Sequence, residues 1–391
     1  MKIIHINDKL DISGGVEVSI RDVMLALQAR GVEAHWIAIK REGREVHMQG
    51  QDTAFNWRGP LSKLHCSPLA SLISANTILH VHSLSEPEIL RRLFEFAPVV
   101  RHLHEQRVFC PGQGKFWAAS ETICNRPYGL HCLRHAYTQR CCNRHPKRLL
   151  HQFANTRFEI EEASRRYAMM VANSEYTRTE AIRAGVPRGR VRVLNYFTEV
   201  TPEPNWAASP PPVIAFAGRL SRTKGVHVLL DAFAKVRLTV PDARLEVLGR
   251  GNDEDIFFRQ SEALGLESAV EFLGWADRPT IHARLSRATV VAFPSIYPEA
   301  FGITGIEAMM RGKPVVAFDV GGVGDWLRHN VTGYAVQAND TDAYAEALEE
   351  LLMNPHQARS MGQKARAEAM ARFTAETKLD ELCGIYYEAL Q

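Results

Sequence analysis

The sequence predicts an α/β protein made of two Rossmann-like lobes that face a cleft. Three observations predict this fold: short apolar runs alternate with helical patterns, a proline-rich stretch divides the 391 residues near the middle, and glycine-containing loops follow several apolar runs. Strands that alternate with helices form parallel sheets whose strands are buried. Ligands bind such sheets beyond the carboxyl ends of the strands, so we expect the functional groups in the cleft.

The first lobe is expected to span residues 1–200. Six short apolar runs predict its strands: residues 2–6, 35–39, 78–82, 99–103, 169–172 and 191–194. Helical patterns such as residues 16–30 separate several of these strands, as a parallel sheet requires.

The second lobe is expected to span residues 205–372. Its predicted strands are residues 213–217, 244–248, 270–273, 290–294, 315–318 and 334–336. Proline clusters at residues 201–205 and 208–212 mark the linker between the two lobes.

Composition excludes several classes of protein. Hydrophobic residues make up 46% and charged residues 23% of the chain, which is ordinary for a globular protein and argues against disorder. No apolar run reaches the roughly 18 residues needed to span a bilayer. Residues 1–10 lack the apolar core of a secretory signal, so we expect a cytoplasmic protein.

Charge is unevenly distributed between the lobes. Residues 1–200 carry 28 Lys and Arg against 19 Asp and Glu, a net +9, whereas residues 201–391 carry 19 against 25, a net −6; together these give the overall +3. A basic lobe favours an anionic partner, such as a phospholipid surface or a phosphorylated acceptor. An ordinary solvated surface explains the same charge about as well.

The most informative segment is PEAFGITGIEA, residues 298–308. Glu299 follows a predicted strand, and Glu307 lies about one turn inside the next helix. Between them, residues 301–304 offer backbone N–H groups at a helix start, where phosphate binds readily. One site could hold a diphosphate on these amides, a ribose on one carboxylate and a sugar hydroxyl on the other. On spacing alone, a plain βα turn with a solvent-facing Glu307 is the simpler interpretation.

Basic residues and glycines follow other strands of the second lobe. The strand at 213–217 leads to Gly218 and Arg219, and the loop continues to Lys224 and Gly225. These two cations could clamp a diphosphate and stabilise a leaving group without a metal ion. Strands at 244–248 and 315–318 also lead into glycine loops.

In the first lobe, the strand at 2–6 leads to Gly14 and Gly15 at a helix start, and the strand at 99–103 leads to His104. Two glycines allow the backbone to approach a ligand closely, and a helix start favours anions. Each loop is weak evidence alone, whereas their joint appearance at strand ends indicates a site.

These motifs together resemble a family-4 retaining glycosyltransferase with the two-lobed GT-B fold. The resemblance rests on the Glu-x7-Glu pair, the Gly218-Arg219-Leu220…Lys224-Gly225 loop, the Gly14-Gly15 loop and the segment GGVGDWLRHNVTGYAV at residues 321–336. It covers nearly the whole chain and is strongest over residues 213–336. It implies a glycosyltransferase that acts in cell-surface glycan synthesis, such as polysaccharide or lipopolysaccharide synthesis.

The resemblance also implies roles for individual residues. Arg219 and Lys224 would bind the donor diphosphate, Glu299 the hydroxyls of the donor sugar, and Glu307 the nucleotide ribose. His104 would lie near the sugar, with His102 as the rival assignment. The catalytic set is therefore His104, Arg219, Lys224 and Glu299. The donor-binding set is Gly14, Gly15, Gly218, Arg250, Phe301, Gly302, Ile303, Thr304 and Glu307.

Two positions depart from the family pattern. The usual Gly-x-Gly-Pro element reads Gly249-Arg250-Gly251-Asn252, which leaves base recognition open, and Asp325 replaces the usual glutamate after the glycine loop. The resemblance implies retention of anomeric configuration, with the departing phosphate oxygen taking the acceptor proton. It implies no catalytic cofactor, since Arg219, Lys224 and the helix start would stabilise the departing charge.

Residues 104–148 are rich in cysteine: Cys110, Cys124, Cys132, Cys141 and Cys142 lie there, with Cys66 and Cys383 elsewhere. A cytosolic location disfavours disulfides. Four of the five, counting either Cys141 or Cys142, could ligate zinc or an iron–sulfur cluster, although no Cys-x2-Cys pair is present. Buried free thiols are the alternative.

The same segment carries basic residues beside aromatic ones. The basic residues are Arg134, Arg140, Arg144, Lys147 and Arg148; the aromatic ones are Phe116, Trp117 and Tyr137. We expect an acceptor lid or a membrane-facing hook here, and an anionic or lipid-linked saccharide acceptor approached from the inner membrane face. The enzyme would then be cytoplasmic and peripheral on that membrane.

Relatives of this fold end with a helix that crosses back to the first lobe. Residues 373–391 carry an apolar face suited to such a helix, formed by Phe373, Leu379, Leu382, Ile385, Tyr386 and Leu390.

Three other functions compete with a glycosyltransferase. A nucleotide-sugar epimerase shares the two-lobed fold but would need other acid and base residues. A catalytically inactive scaffold would not need the intact Glu299, Glu307, Arg219 and Lys224. A nucleic-acid binder is suggested only by the basic lobe, and no recognised motif supports it. The sequence does not specify the sugar, the base or the acceptor.

Overall fold

The computed structural model describes residues 1–8, 14–39, 54–56, 68–204 and 211–391. Two compact units result: the first comprises Met1–Ser120, Cys124–Tyr196 and Ala375–Gln391, and the second comprises Glu121–Ile123 and Phe197–Thr374. Cys66 and residues 205–210 of the predicted linker lie outside the described residues.

The first nine strands precede residue 196. They are β1 (Lys2–Asn7), β2 (Glu33–Ala38), β3 (Ala54–Asn56), β4 (Thr77–Val81), β5 (Val99–Leu103), β6 (Phe116–Trp117), β7 (Thr122–Ile123), β8 (Met169–Ala172) and β9 (Val191–Val193). Seven of them form a parallel sheet in the order β3-β2-β1-β4-β5-β8-β9. The order reverses direction between β1 and β4, which is the point where such sheets bind ligands.

Helices cover both faces of this sheet. They are α1 (Gly15–Ala29), α2 (Pro68–Leu72), α3 (Pro87–Leu93), α4 (His131–Thr138), α5 (Pro146–Glu161) and α6 (Glu175–Arg183). Two apolar clusters result, because alternate strand residues point to opposite faces of the sheet. One contains Leu79 and Leu103 with Leu90 of α3, and the other contains Ile78 and Val100.

The second unit repeats this architecture. Its strands are β10 (Val213–Ala217), β11 (Arg244–Leu248), β12 (Val270–Gly274), β13 (Val290–Phe293), β14 (Val315–Phe318) and β15 (Gly333–Val336). They form a parallel sheet in the order β12-β11-β10-β13-β14-β15. The reversal here falls between β10 and β13, so the loops that follow these two strands meet at the same edge.

Six helices connect or follow these strands, and a seventh returns to the first unit. They are α7 (Val226–Thr239), α8 (Glu254–Ala263), α9 (Arg278–Arg287), α10 (Ile303–Met310), α11 (Thr341–Met353), α12 (Pro355–Arg372) and α13 (Ala375–Leu390). Helix α13 buries Leu379, Leu382 and Ile385 against the first sheet, in the cluster that contains Ile78 and Val100. Phe373, which comes just before it, packs edge-on against Phe301 in the second unit.

The predicted fold class of two Rossmann-like units is confirmed. All twelve predicted strands are present, with ends within two residues of the predicted ones, and β3, β6 and β7 were not predicted. Across the described ranges, none of the helices combines the length and the apolar character that a membrane crossing requires.

Candidate functional site

The clearest polar constellation lies where β10 and β13 end. Lys224, in the loop after β10, places its ammonium 2.5 Å from Oε1 of Glu299, in the loop after β13. Ser295 donates its hydroxyl to the same oxygen at 2.6 Å. Both contacts are made by Oε1, so within the described part of the chain Oε2 remains to accept a hydrogen bond from a ligand. The structure therefore brings together two residues that the sequence placed 75 positions apart.

Close backbone packing fixes the loop that carries Lys224. A 3-10 turn at Arg222–Lys224 leads to Gly225, whose φ is 72° and whose position leaves no room for a side chain. A Cβ there would lie 1.8 Å from the carbonyl oxygen of Pro294, so the two loops touch at this point. Ser295 continues the contact, since its hydroxyl lies 3.2 Å from the carbonyl oxygen of Thr223.

Two further glycine loops pack on this edge of the sheet. A Cβ at Gly249 would lie 1.8 Å from the carbonyl oxygen of Gly218, which brings the loop after β11 against the loop after β10. A Cβ at Gly321 would lie 2.3 Å from the carbonyl oxygen of Glu299, and Gly322 donates its N–H to that oxygen at 2.7 Å. The backbone of Glu299 is thus held by the loop after β14.

The predicted helix start is α10. Gly302 caps it with φ 103°, a conformation that favours glycine, and a Cβ there would approach the Phe293 ring at 2.8 Å. Trp326 donates its indole N–H to the carbonyl oxygen of Phe301 at 2.7 Å. These contacts fix the turn that leads into α10. The backbone N–H groups of residues 303 and 304, in the first turn of this helix, follow Glu299 closely in sequence.

Glu307, on the first turns of α10, is largely buried rather than solvent-facing, so the plain-turn interpretation is wrong on this point. Its Oε1 lies 3.3 Å from Nη2 of Arg278 and 3.4 Å from Nε2 of His282, both on α9. Arg311 also donates to the Glu307 carbonyl oxygen at 2.8 Å. A carboxylate held in this way can accept hydrogen bonds from a diol.

Arg219 and Arg250 are exposed on the loops after β10 and β11. Among the residues that the structure describes, the Arg219 guanidinium makes no hydrogen bond or ion pair. Arg250 lies 3.8 Å from Glu254 at its closest approach. Both guanidinium groups are therefore exposed to an approaching anion.

In the first unit, Gly14 caps α1 and Gly15 opens it. A Cβ at Gly14 would lie 2.6 Å from Oε2 of Glu17, whereas a Cβ at Gly15 would meet nothing within 4 Å. Glu17 is itself buried, and Asn7 donates to it at 3.5 Å from the end of β1. The space beside Gly15 is free, which allows a ligand to approach the backbone there. The space beside Gly14 is filled by the Glu17 carboxylate.

His104 belongs to a buried network of five histidines that the sequence did not reveal. The others are His5, His80, His82 and His102, and all five lie on one face of β1, β4 and β5 or directly after them. His104 uses both ring nitrogens: Nε2 lies 2.7 Å from Nδ1 of His82, and Nδ1 lies 2.5 Å from the hydroxyl of Tyr196. Neither nitrogen is free for a substrate in this arrangement.

His102 belongs to a second chain of hydrogen bonds in the same network. The tautomers of its histidines can be assigned from the end of the chain at Asn173. Nε2 of His102 lies 2.6 Å from Oδ1 of Asn173, which only accepts, so Nε2 carries the proton. Nδ1 of His102 must then accept from Nε2 of His80 at 3.1 Å, and Nδ1 of His80 accepts from the Tyr386 hydroxyl at 2.7 Å. Helix α13 thus supplies the donor that starts this chain.

Burial keeps the whole network neutral. Burial, with a smaller contribution from the His102 charge, lowers the pKa of His5 to about 3. Burial likewise lowers the pKa of His102 to about 4 and holds the pKa values of His80, His82 and His104 well below their ordinary range.

The cysteines of residues 104–148 meet around one cavity in the first unit. Cys110, Cys124, Cys132, Cys141 and Cys142 all line it, together with Lys115 and His135. All five are free thiols.

Sequence comparisons match each half of the chain to a glycosyltransferase family. Residues 13–197 match the model of Glycosyltransferase Family 4, and residues 199–368 match that of Glycosyl transferases group 1. A D-inositol 3-phosphate glycosyltransferase of Corynebacterium aurimucosum is 35% identical over 184 residues, which are 46% of this chain and 43% of that protein. A phosphatidyl-myo-inositol mannosyltransferase of Mycobacterium leprae is 36% identical over 174 residues, 44% of this chain and 46% of the relative. The match thus spans less than half the length of these curated relatives.

Solved structures share the fold over nearly the whole chain. Anabaena HepE in complex with UDP superposes with a TM-score of 0.70 at 22% identity, covering 98% of this chain and 99% of that one.

Proposed function

The chain belongs to the glycosyltransferases of family 4 and group 1, and on this premise we propose that it moves a sugar from a nucleotide-diphosphate sugar to a saccharide or lipid-linked saccharide acceptor. The observation that carries the proposal is the Lys224–Glu299 pair at the switch point of the second sheet. A cation for the diphosphate and a carboxylate for sugar hydroxyls are both fixed there by close backbone contacts.

The second unit would bind the donor. Arg219, which is exposed, and Lys224 would contact the diphosphate, and the first turn of α10 would add backbone N–H groups. Glu299 would accept sugar hydroxyls through Oε2, because Lys224 and Ser295 occupy Oε1. Glu307 would accept ribose hydroxyls in the same manner. That HepE binds UDP agrees with a uridine nucleotide, and the base is left to experiment.

The proposed reaction retains anomeric configuration and uses no metal. The bond between the anomeric carbon and the phosphate oxygen breaks, and both bonding electrons leave with the nucleoside diphosphate. Arg219 and Lys224 stabilise the negative charge that develops on that oxygen. The acceptor hydroxyl attacks on the same face, and its proton passes to the departing phosphate oxygen. Glu299 orients the sugar through its hydrogen bonds.

An epimerase and an inactive scaffold are the competing functions. An epimerase would convert the nucleotide sugar with no acceptor present, and a scaffold would show no turnover at all. The paired Lys224 and Glu299 favour a working donor site over a scaffold. Incubation of the enzyme with candidate donors, with and without acceptor, separates the three outcomes.

Arg219→Ala and Lys224→Ala should each lower turnover at least tenfold, because a charge-assisted contact contributes about 1.5–3 kcal/mol. The control is Lys235→Ala on α7, whose ammonium pairs with Asp342 at the surface. All three proteins should show the circular dichroism of the wild type. If both site variants keep the turnover of the Lys235 control, the donor-site assignment is wrong.

Exposed basic residues on α4, at the start of α5 and in the segment between these helices support an anionic or membrane-bound acceptor. Arg134, Arg140, Arg144, Lys147 and Arg148 are all exposed. Exposed apolar side chains lie near them in sequence: Leu130, Tyr137 and Leu150 are 78%, 49% and 58% exposed. Cations beside exposed apolar groups are typical of surfaces that rest on anionic lipid. The mannosyltransferase relative from Mycobacterium leprae is named for a lipid, phosphatidyl-myo-inositol, which agrees with this proposal.

Liposome flotation tests the surface. The wild type should float with anionic vesicles at low salt and dissociate as salt rises, since each basic residue contributes about 1 kcal/mol near such a surface. Lys147→Glu with Arg148→Glu should weaken flotation, whereas the matched reversal Arg259→Glu with Lys364→Glu, in the second unit, should not. Equal binding to neutral and anionic vesicles would exclude this role.

A further inference from the structure

The five thiols of the cysteine-rich segment line one cavity. We propose that it holds an iron–sulfur cluster on four thiolates, those of Cys110, Cys124, Cys132 and Cys141. The remaining thiol, that of Cys142, does not take part.

The turn after Cys110 is shaped to hold a thiolate. Backbone N–H groups of Gly112, Gly114 and Lys115 converge on the Cys110 sulfur as hydrogen-bond donors. Two residues of this turn, Gln113 and Lys115, have left-handed φ values of 63° and 50°, which non-glycine residues adopt at a cost. A neutral thiol gains little from three donors, whereas the sulfur of a cluster ligand is stabilised by such hydrogen bonds.

Cys142 is excluded by its own hydrogen bonds. Its sulfur lies 3.3 Å from the carbonyl oxygen of Pro111 and 3.2 Å from Oε1 of Gln152. Both neighbours are oxygens that accept, so Cys142 must keep its proton to donate. A metal ligand has lost that proton, and this leaves Cys141 as the fourth ligand.

The spacing of the sulfurs favours a cluster over a single zinc ion. Tetrahedral Zn–S bonds of about 2.3 Å would place the four sulfurs roughly 3.8 Å apart. Within the described ranges, however, the groups with three ligand atoms inside 4.8 Å of one another are formed by histidines, and no three of these sulfurs approach that closely. An iron–sulfur cluster keeps its thiolates farther apart, because iron and sulfide lie between them.

The surroundings suit a buried, negatively charged group. The cavity wall includes the aromatic rings of Phe109, Phe116, Trp117 and Tyr128. Lys115 also lines it and is 4% exposed, with its ammonium 2.6 Å from Glu180. An apolar wall excludes water and oxidants from a cluster, and a fixed cation stabilises its charge.

Metal analysis of the full chain tests the proposal. The protein is purified under anaerobic conditions from cells supplied with iron, and iron, acid-labile sulfide and zinc are measured per chain. We expect iron and sulfide in equal amounts, with visible absorption that is bleached by dithionite. Zinc bound in stoichiometric amount without iron would overturn the cluster, as would a chain that takes up neither metal on anaerobic reconstitution with iron and sulfide.

Two matched substitutions test the ligand assignment. Cys141→Ser should lower the iron content about tenfold, whereas Cys142→Ser, at the adjacent position, should leave it unchanged. Equal loss in the two variants would contradict the ligand set. The metal content of the wild type decides the main question even if Cys141→Ser fails to fold, and donor turnover is not needed as a readout.

Discussion

Mild acid should destabilise the first unit selectively, because its five buried histidines are neutral in the folded state. Their folded pKa values are lowered, to about 3 for His5 and about 4 for His102, and burial is the main cause. An unfolded histidine titrates near 6.5. Below pH 6.5 the unfolded state therefore binds more protons than the folded state, so the free energy of unfolding decreases as the pH falls. This decrease ends only near the pKa values of the folded state.

The magnitude follows from linkage. Between pH 7.0 and 5.5, one histidine that titrates only when unfolded lowers the free energy of unfolding by about 1.2 kcal/mol. Five such histidines would lower it by about 6 kcal/mol if none is protonated in the folded state. Domains have unfolding free energies of about 5–15 kcal/mol, so this loss should be large enough to expose the unit.

Hydrogen exchange resolved by peptide is the appropriate measurement, since it reports each unit separately. Peptides from β1, β4 and β5 should lose protection on going from pH 7.0 to 5.5, after correction for the intrinsic exchange rate, and peptides from β10 and β13 serve as the internal control. His5→Asn removes one titrating group while keeping a polar atom towards His82, and should reduce the pH dependence by about one fifth. Protection of the first unit that does not change over this range would refute the neutral network.

Two further predictions concern the second unit. Gly225→Ala should destabilise it by about 3 kcal/mol or more, because the new Cβ would lie 1.8 Å from the carbonyl oxygen of Pro294 in a left-handed residue of φ 72°. Gly265→Ala is the matched control, with φ 67° and nothing within 4 Å of its Cβ, so it should lose only about 1 kcal/mol by the same urea titration. Transfer from the donor should persist in EDTA during short exposures that leave the circular dichroism unchanged, since Arg219 and Lys224 replace a metal; activity restored only by added Mg²⁺ or Mn²⁺ would contradict the metal-free mechanism.

The strands could be predicted from sequence because most of them are short apolar runs that are buried on both faces. Residues 99–103 and 213–217 were predicted with the bounds that the structure shows, since a proline directly precedes each run. Strand β3 spans only Ala54–Asn56 and lies on the edge of its sheet, so too few residues carry the pattern.

The site was predicted only in part, because motifs identify residues along the chain but not their partners. The Glu299 and Lys224 motifs were recognised separately, while Ser295, which fixes Glu299, follows a strand with no pattern to mark it. Arg278 and His282 are spaced four residues apart on α9, which places them on one helix face, but the sequence gives no reason to direct that face at Glu307.

The histidine network did leave a signal that was not used. His80 and His82 are two residues apart on one strand, and His102 and His104 are two residues apart on the next. Since alternate residues of a strand share a face, two such pairs on neighbouring parallel strands must lie side by side. For the cysteines, the sequence showed the cluster at once. Only the hydrogen bonds of Cys142 in the structure, however, distinguish it from Cys141.

The return of α13 to the first sheet has a consequence for how the protein is made. Residues 375–390 are synthesised 179 residues after Tyr196, where the rest of the first unit ends. At about 5–20 residues per second, the ribosome takes roughly 10–40 s to cover that distance. During this interval the apolar face that will receive Leu379 and Ile385 stays uncovered, and His80 lacks its Tyr386 donor. The second unit can therefore complete its fold before α13 closes the first unit.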